Sequence, residues 1–145
     1  MPEDRQVLHA SCVALGDRGL LILGKSGAGK SALALQLIAL GAALVSDDQV
    51  AITAEGEGLI ARCPSPAIKG MIEARGFGLL HLPAQDSARL ILALDLDQME
   101  PQRLPMPRML TLMGRALPLA HAAKGDHVPA ALICHLRGAR RDLGQ

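Results

Sequence analysis

Short apolar runs separated by glycine-rich or charged punctuation make up most of this chain. "VLHASCVAL" and "GLLILG" are two such runs, separated by "GDRG", and they predict two strands joined by a tight turn. From Lys30 the pattern becomes helical. "KSALALQLIALG" sets Leu33, Leu37 and Leu40 on one stripe and closes with Gly41 as a stop. "AALVS" and "QVAIT" predict further short strands, and "EGEG" a hairpin into "LIARC". "RLILALDL" reads as a buried strand and "MEPQRLPMPR", with three prolines, as a loop. "RMLTLM" reads as a last strand, and "VPAALICHLRGARRD" as a C-terminal helix with basic residues in its final turns. Strand and helix alternate only around residues 20–46, so the pattern predicts an α/β fold with a mixed β-sheet and flanking helices, rather than a regular doubly wound sheet. No internal repeat is visible.

Composition narrows the picture. At 145 residues, 50% apolar and 20% charged, the chain reads as one folded domain spanning 1–145. Phe77 is the only aromatic residue, so the core must be built from Ala, Leu, Ile, Val and Met. The lack of aromatic platforms argues against single-stranded nucleic-acid binding. A net charge of +1 supplies no broad field for polyanions or membrane surfaces, so any basic function must be local. Cys12, Cys63 and Cys134 are odd in number and form no CxxC pair, which favours free buried thiols over zinc or disulfides. The N-terminus "MPEDRQVLHA" has no signal-peptide core, and no apolar run reaches the roughly 18 residues of a membrane span. The expectation is a soluble cytoplasmic protein that binds neither nucleic acid nor membrane.

The strongest chemical signal is "LLILGKSGAGKSALALQLIAL". Gly24, Lys25, Ser26, Gly27, Ala28, Gly29, Lys30 and Ser31 complete the P-loop pattern, with an apolar strand entering and an amphipathic helix leaving. Glycines let the backbone wrap phosphate oxygens, and successive N–H groups with the helix N-terminus add partial positive charge. Lys30 is placed to neutralise β- and γ-phosphates, and the Ser31 hydroxyl to ligand Mg²⁺. The loop alone does not separate a kinase from an NTPase switch, but no base-specificity motif of the NKxD kind is present.

Two further groups of charges follow. In "LVSDDQV", Asp47 and Asp48 are adjacent, and on a strand neighbours point to opposite faces, so a shared role requires the strand to end there. The strand after a P-loop helix commonly lies beside the P-loop strand, which brings its C-terminal end near the phosphates. That position suits a metal-linked carboxylate or a base; the alternative is a solvated turn. "IKGMIEARGFG" carries Lys69, Glu73 and Arg75 among glycines, and those charges could meet Mg²⁺ and phosphate or simply decorate a surface loop. His9 lies on the predicted first strand, where a lone histidine is more often structural than catalytic.

His9, "GKSGAGKS", "LVSDDQV" and "IEARGFG" occur in the order and at the spacings of the catalytic domain of HPr kinase/phosphorylase, which this chain resembles over roughly residues 7–120. The resemblance implies a P-loop fold of the HPr kinase/PEP carboxykinase-like kind and a serine kinase of the phosphocarrier HPr. It also implies ATP and Mg²⁺ as cofactors, a homo-oligomer, and dephosphorylation by phosphorolysis as a further direction. Residue by residue it implies Asp48 as proton acceptor for the target serine, and Asp47 as a neighbour holding position or meeting His9. Lys30 and His9 would be catalytic, Ser31 and Glu73 Mg²⁺ ligands, and Arg75 part of the signature segment. "PQRLPMP" is similar to the family's arginine loop, making Arg103 a phosphate clamp, and "MGRALPLA" places Arg115 in a later family stretch. The expectation is a chain without the N-terminal domain of longer members, and Ala32 follows the P-loop serine where they have Glu. In this it is similar to short single-domain versions in alphaproteobacteria. A P-loop kinase of a small-metabolite hydroxyl, or a nucleotide-binding regulatory module without catalysis, would use many of the same residues.

Overall fold

The computed structural model describes residues 4–138. Their strands are β1 (Gln6–Leu8), β2 (Ala10–Leu15), β3 (Arg18–Leu23), β4 (Ala43–Ser46), β5 (Val50–Glu55), β6 (Gly58–Arg62), β7 (Met71–Ala74), β8 (Gly78–His81), β9 (Ser87–Met99), β10 (Arg108–Leu112) and β11 (Arg115–Ala122). The helices are α1 (Lys30–Ala39) and α2 (Val128–Leu136), with a 3-10 turn at Pro66–Ile68. Nine strands make one sheet ordered β1-β5-β6-β9-β3-β2-β4, with β11 also beside β9 and β10 beyond β11. The pairs β3–β9 and β9–β11 are parallel and the other pairs antiparallel, so the expected mixed sheet is present. β7 and β8 form a separate hairpin.

Period-two alternation sorts the apolar side chains onto two faces. Val13, Leu20, Ile22, Leu92 and Leu94 meet Leu33 and Leu37 of α1 and Leu132, Ile133 and Leu136 of α2. Cys12, Leu21 and Ala93 point the other way, into a cluster with Val45, Val50, Ile52, Leu59 and Leu117. That second cluster draws on strands from both parts of the sheet order and on no helix, so the sheet curls around it. β3 is thus covered on both faces, which explains its uninterrupted apolar run. The helix ends as expected: Gly41 adopts φ +116 and Ala42 N–H donates to the Leu37 carbonyl at 3.0 Å.

Several expectations require correction. The strand expected across 7–15 is broken at His9, because β1 pairs with β5 whereas β2 pairs with β3 and β4. "RMLTLM" is not the last strand, since β11 follows it. The turn between them uses Met113 (φ +49) and Gly114 (φ +76), and Met is not a residue that signals left-handed backbone. Pro118, within β11, also reads against a strand. Among the described residues no methionine is fully buried in the core, Met113 packs against its edge, and Met99, Met106 and Met109 are exposed, as is Phe77 at 84%. The thiols are free but not uniformly buried: Cys134 is exposed and Cys63 half-buried. Cys12 is buried, and burial pushes its thiol up to about 12, which keeps it protonated. The basic residues Arg140 and Arg141 of the expected C-terminal helix lie outside the described residues.

Leu92 is fully buried at the centre of the sheet between β3 and the helices. Leu92→Ala is expected to cost about 2–5 kcal/mol in urea denaturation. Phe77→Ala, at an exposed turn, is expected to change stability by no more than about 0.5 kcal/mol.

Candidate active site

β3 ends at Leu23 and hands the chain to residues 24–29, which return as α1 at Lys30. Gly24 sits at φ +155, and a Cβ there would meet Ala28 Cβ at 3.0 Å and Leu96 Cβ at 3.3 Å. Only glycine fits a backbone so placed against its neighbours. Gly29 caps α1 without a side-chain bond, leaving the amides of the first turn facing the loop. Lys30 is buried at 7% exposure, and its Nζ donates to the carbonyls of Gly24 at 2.7 Å and Lys25 at 3.0 Å. The ammonium is therefore held inside the loop on the loop's own oxygens.

The acidic pair divides. Asp47 is buried at 7% exposure and accepts from Ser31 Oγ at 2.9 and 2.8 Å and from Ser11 Oγ at 2.6 Å. Asp48, the next residue, takes φ +72, a left-handed conformation that Asp tolerates better than most residues. Its side chain is 69% exposed, and Oδ1 lies 3.5 Å from His9 Nδ1. Topology explains this meeting. β1 pairs with β5 and β2 with β4, so the link between β1 and β2 must face the link between β4 and β5. The first link is His9; the second contains Asp47 and Asp48. Asp47 thus meets Ser11 and Ser31, and it is Asp48 that lies beside His9.

Glu73 and Arg75 arrive from the separate hairpin. Ile72 is fully buried in the core cluster beneath α1, which anchors β7 against the helix. Alternation then turns Glu73 outward. His9, Lys30, Ser31, Asp48, Glu73 and Arg75 line one open cleft of about 410 Å³, together with Ser26, Gly27 and Gly29. The P-loop residues Gly24, Lys25 and Ala28 are not among its lining, and Asp47 lies behind Ser31.

Other expected site residues lie elsewhere. Lys69 pairs with Asp86, whose carboxyl the Lys69 ammonium holds below the usual carboxylate range. Arg103 lines a different cavity of about 380 Å³, with Glu100, His121 and residues of α2. Arg115 donates from Nε and Nη2 to the Gly56 carbonyl at 3.1 and 2.9 Å, pinning the β10–β11 hairpin to the β5–β6 turn. Neither arginine lines the cleft, because the chain that follows β9 leads away from it.

Two contacts have no counterpart in the sequence reading. Ser11 is a buried hydroxyl in an apolar strand, and that single polar interruption in "ASCVAL" was its only signal. Asp97 accepts the Lys25 amide at 2.9 and 3.2 Å; its signal was position, at the C-terminal end of the strand running parallel to β3. The donor set of Ser31 and Asp47, with Glu73 across the cleft, is all oxygen and so fits a hard cation such as Mg²⁺.

A family model described as the HPr serine kinase C-terminal domain matches residues 3–92. The chain is similar to the HPr kinase/phosphorylase of Chloroherpeton thalassium, with 38% identity over 86 residues, 59% of this chain and 25% of that protein. It is likewise 38% identical to the HPr kinase/phosphorylase of Aromatoleum aromaticum over 114 residues, 70% of this chain and 36% of that protein. It thus spans between a quarter and about a third of the length of these curated relatives. Among solved structures it is similar to the Hpr(Ser) kinase/phosphatase from Coxiella burnetii, at TM-score 0.76 and 26% identity, covering 92% of this chain and 95% of that one.

The division between the acids has a stability consequence. Asp47→Ala leaves the buried Ser11 hydroxyl and the half-buried Ser31 hydroxyl without their acceptor and is expected to cost about 1–3 kcal/mol in urea denaturation. Asp48→Asn keeps a residue type that tolerates left-handed backbone and, being exposed, is expected to stay within about 0.5 kcal/mol of the parent.

Proposed function

This chain belongs to the family of the HPr serine kinase C-terminal domain, and from that premise we propose that it transfers the γ-phosphoryl group of Mg²⁺-ATP to a serine hydroxyl of an HPr-type phosphocarrier protein. The observation that carries the reading is one cleft lined by Lys30 and Ser31 of the P-loop, the His9–Asp48 pair, Glu73 and Arg75. We take the chain as a single P-loop kinase catalytic unit, with the roles below assigned to its residues.

Phosphoryl transfer asks little covalent chemistry of a protein and much positioning and charge neutralisation. The loop amides and the N-terminus of α1 cradle the β-phosphate. Lys30 exchanges its carbonyl partners for β- and γ-phosphate oxygens, a short move for an ammonium already held inside the loop. Ser31 Oγ, Asp47 and Glu73 are the oxygen donors that would hold Mg²⁺. When bound, the cation neutralises charge developing on the transferred group. Asp47 also fixes the Ser31 hydroxyl, and Ser11 in turn fixes Asp47.

Asp48 is the acceptor of the serine proton. Its carboxylate is exposed at the cleft, where an incoming hydroxyl can reach it, and His9, on the same cleft, orients it. As the serine oxygen bonds to the γ-phosphorus, the bond to the ADP oxygen breaks and the serine proton passes to Asp48. In the reverse direction, inorganic phosphate attacks the phosphoserine, Asp48 returns the proton to the serine oxygen, and pyrophosphate leaves. Arg75, at the hairpin turn, lies where it can face phosphate charge.

The test is mass spectrometry of purified HPr after incubation with the protein and Mg²⁺-ATP. One phosphate is expected on a serine, and HPr of unchanged mass would contradict the proposal. Asp48→Asn is expected to slow transfer about 10²–10⁴-fold while Mg²⁺-ATP affinity stays within about twofold. Transfer at the parent rate would remove Asp48 from the role.

A further inference from the structure

One peptide group of the P-loop is gripped at both ends. The carbonyl of Gly24 accepts from Lys30 Nζ at 2.7 Å, and the N–H of the same peptide, on Lys25, donates to Asp97 Oδ2 at 2.9 Å and Oδ1 at 3.2 Å. A trans peptide is planar, with its C=O and N–H directed oppositely. Asp97 therefore stands across the peptide from the Lys30 ammonium, on the outer side of the loop. Its own placement is built in: β9 runs parallel to β3, which delivers the loop, and the Asp97 N–H donates to Asp95 Oδ1 at 2.9 Å. The fit is close on this side, since a Cβ on Gly24 would lie 3.3 Å from Leu96 Cβ. Asp97 does not line the cleft, and the mechanism above makes no use of it.

We infer that Asp97 is a positioning residue that fixes the orientation of the Gly24–Lys25 peptide and, through it, the place of Lys30. The inference rests on the reading of this loop as the nucleotide site. A carboxylate is a stronger acceptor for an amide than a neutral oxygen, so it holds the peptide in one of its two orientations. With the N–H committed outward, the Gly24 carbonyl presents to the ammonium and keeps it at the loop until phosphate replaces it. If the peptide turned over, the Gly24 carbonyl would leave Lys30 and the ammonium would lose the shorter of its two resting contacts, keeping only the Lys25 carbonyl. Because Asp97 binds backbone on the outer side of the loop, its negative charge does this without facing the phosphates.

The experiment is titration calorimetry of Mg²⁺-ATP into the full chain and into Asp97→Ala and Asp97→Asn, with thermal unfolding of each. Asp97→Ala is expected to bind about tenfold more weakly, without a matching loss of melting temperature because Asp97 is exposed. Asp97→Asn keeps an oxygen acceptor and is expected to recover affinity to within about threefold of the parent. Parent-like affinity in Asp97→Ala overturns the inference, as does an Asn variant no better than the Ala variant. A parent protein that melts cooperatively yet takes up no Mg²⁺-ATP overturns the nucleotide-site reading itself, and the inference with it.

Discussion

The buried carboxylate of Asp47 is the interaction on which this site depends. An isolated ionised acid inside a protein is costly, and the cost is offset only when its oxygens are hydrogen-bonded. Here two hydroxyls meet it, Ser11 from β2 and Ser31 from the first turn of α1. The contact ties three segments together: the end of β4, the strand beside it, and the helix that the P-loop starts. The same connection is tightened by Ser46 Oγ on the Gln49 carbonyl at 2.5 Å and by the Gln49 amide on the Asp47 carbonyl at 2.8 Å. In so tight a link the residue between has little choice of backbone, and Asp48 is turned outward at φ +72. Two adjacent acids thereby acquire opposite environments, one buried behind Ser31 and one exposed at the cleft.

The legible parts of the fold were those specified locally. The P-loop needs a strand, six residues and a helix in sequence, and "LLILGKSGAGKSALALQLIAL" supplies them without help from elsewhere. The β2–β3 and β5–β6 hairpins announce themselves by glycine and charge between apolar runs. The β10–β11 hairpin did not, because Met113 occupies a left-handed turn position and Pro118 interrupts the strand pattern. The β7–β8 hairpin was hidden by its glycines, which read as loop, whereas it is anchored by the buried Ile72 with Leu80 packed beside the same cluster.

At the site the same distinction holds. That His9 faces Asp48 follows from strand pairing across forty residues of chain, which no spacing reveals. That Asp47 and Asp48 differ was legible from strand alternation, but which hydroxyls Asp47 binds was not. Arg103, Arg115 and Lys69 carry the right charge for phosphate, yet Arg115 is held on the Gly56 carbonyl, Lys69 pairs with Asp86, and Arg103 lines a second cavity. Charge type identifies candidates; only packing decides which of them can share a cleft.

In the proposed reaction the two acids have separate jobs, Asp47 on the cation side and Asp48 on the proton side. The most direct measurement is the Mg²⁺ dependence of ATP binding, titrated for the parent, Asp47→Asn and Asp48→Asn. Asp47→Asn is expected to raise the Mg²⁺ concentration needed by about 10–100-fold, while Asp48→Asn leaves it unchanged. Equal shifts in the two variants, or a shift confined to Asp48→Asn, would contradict that division.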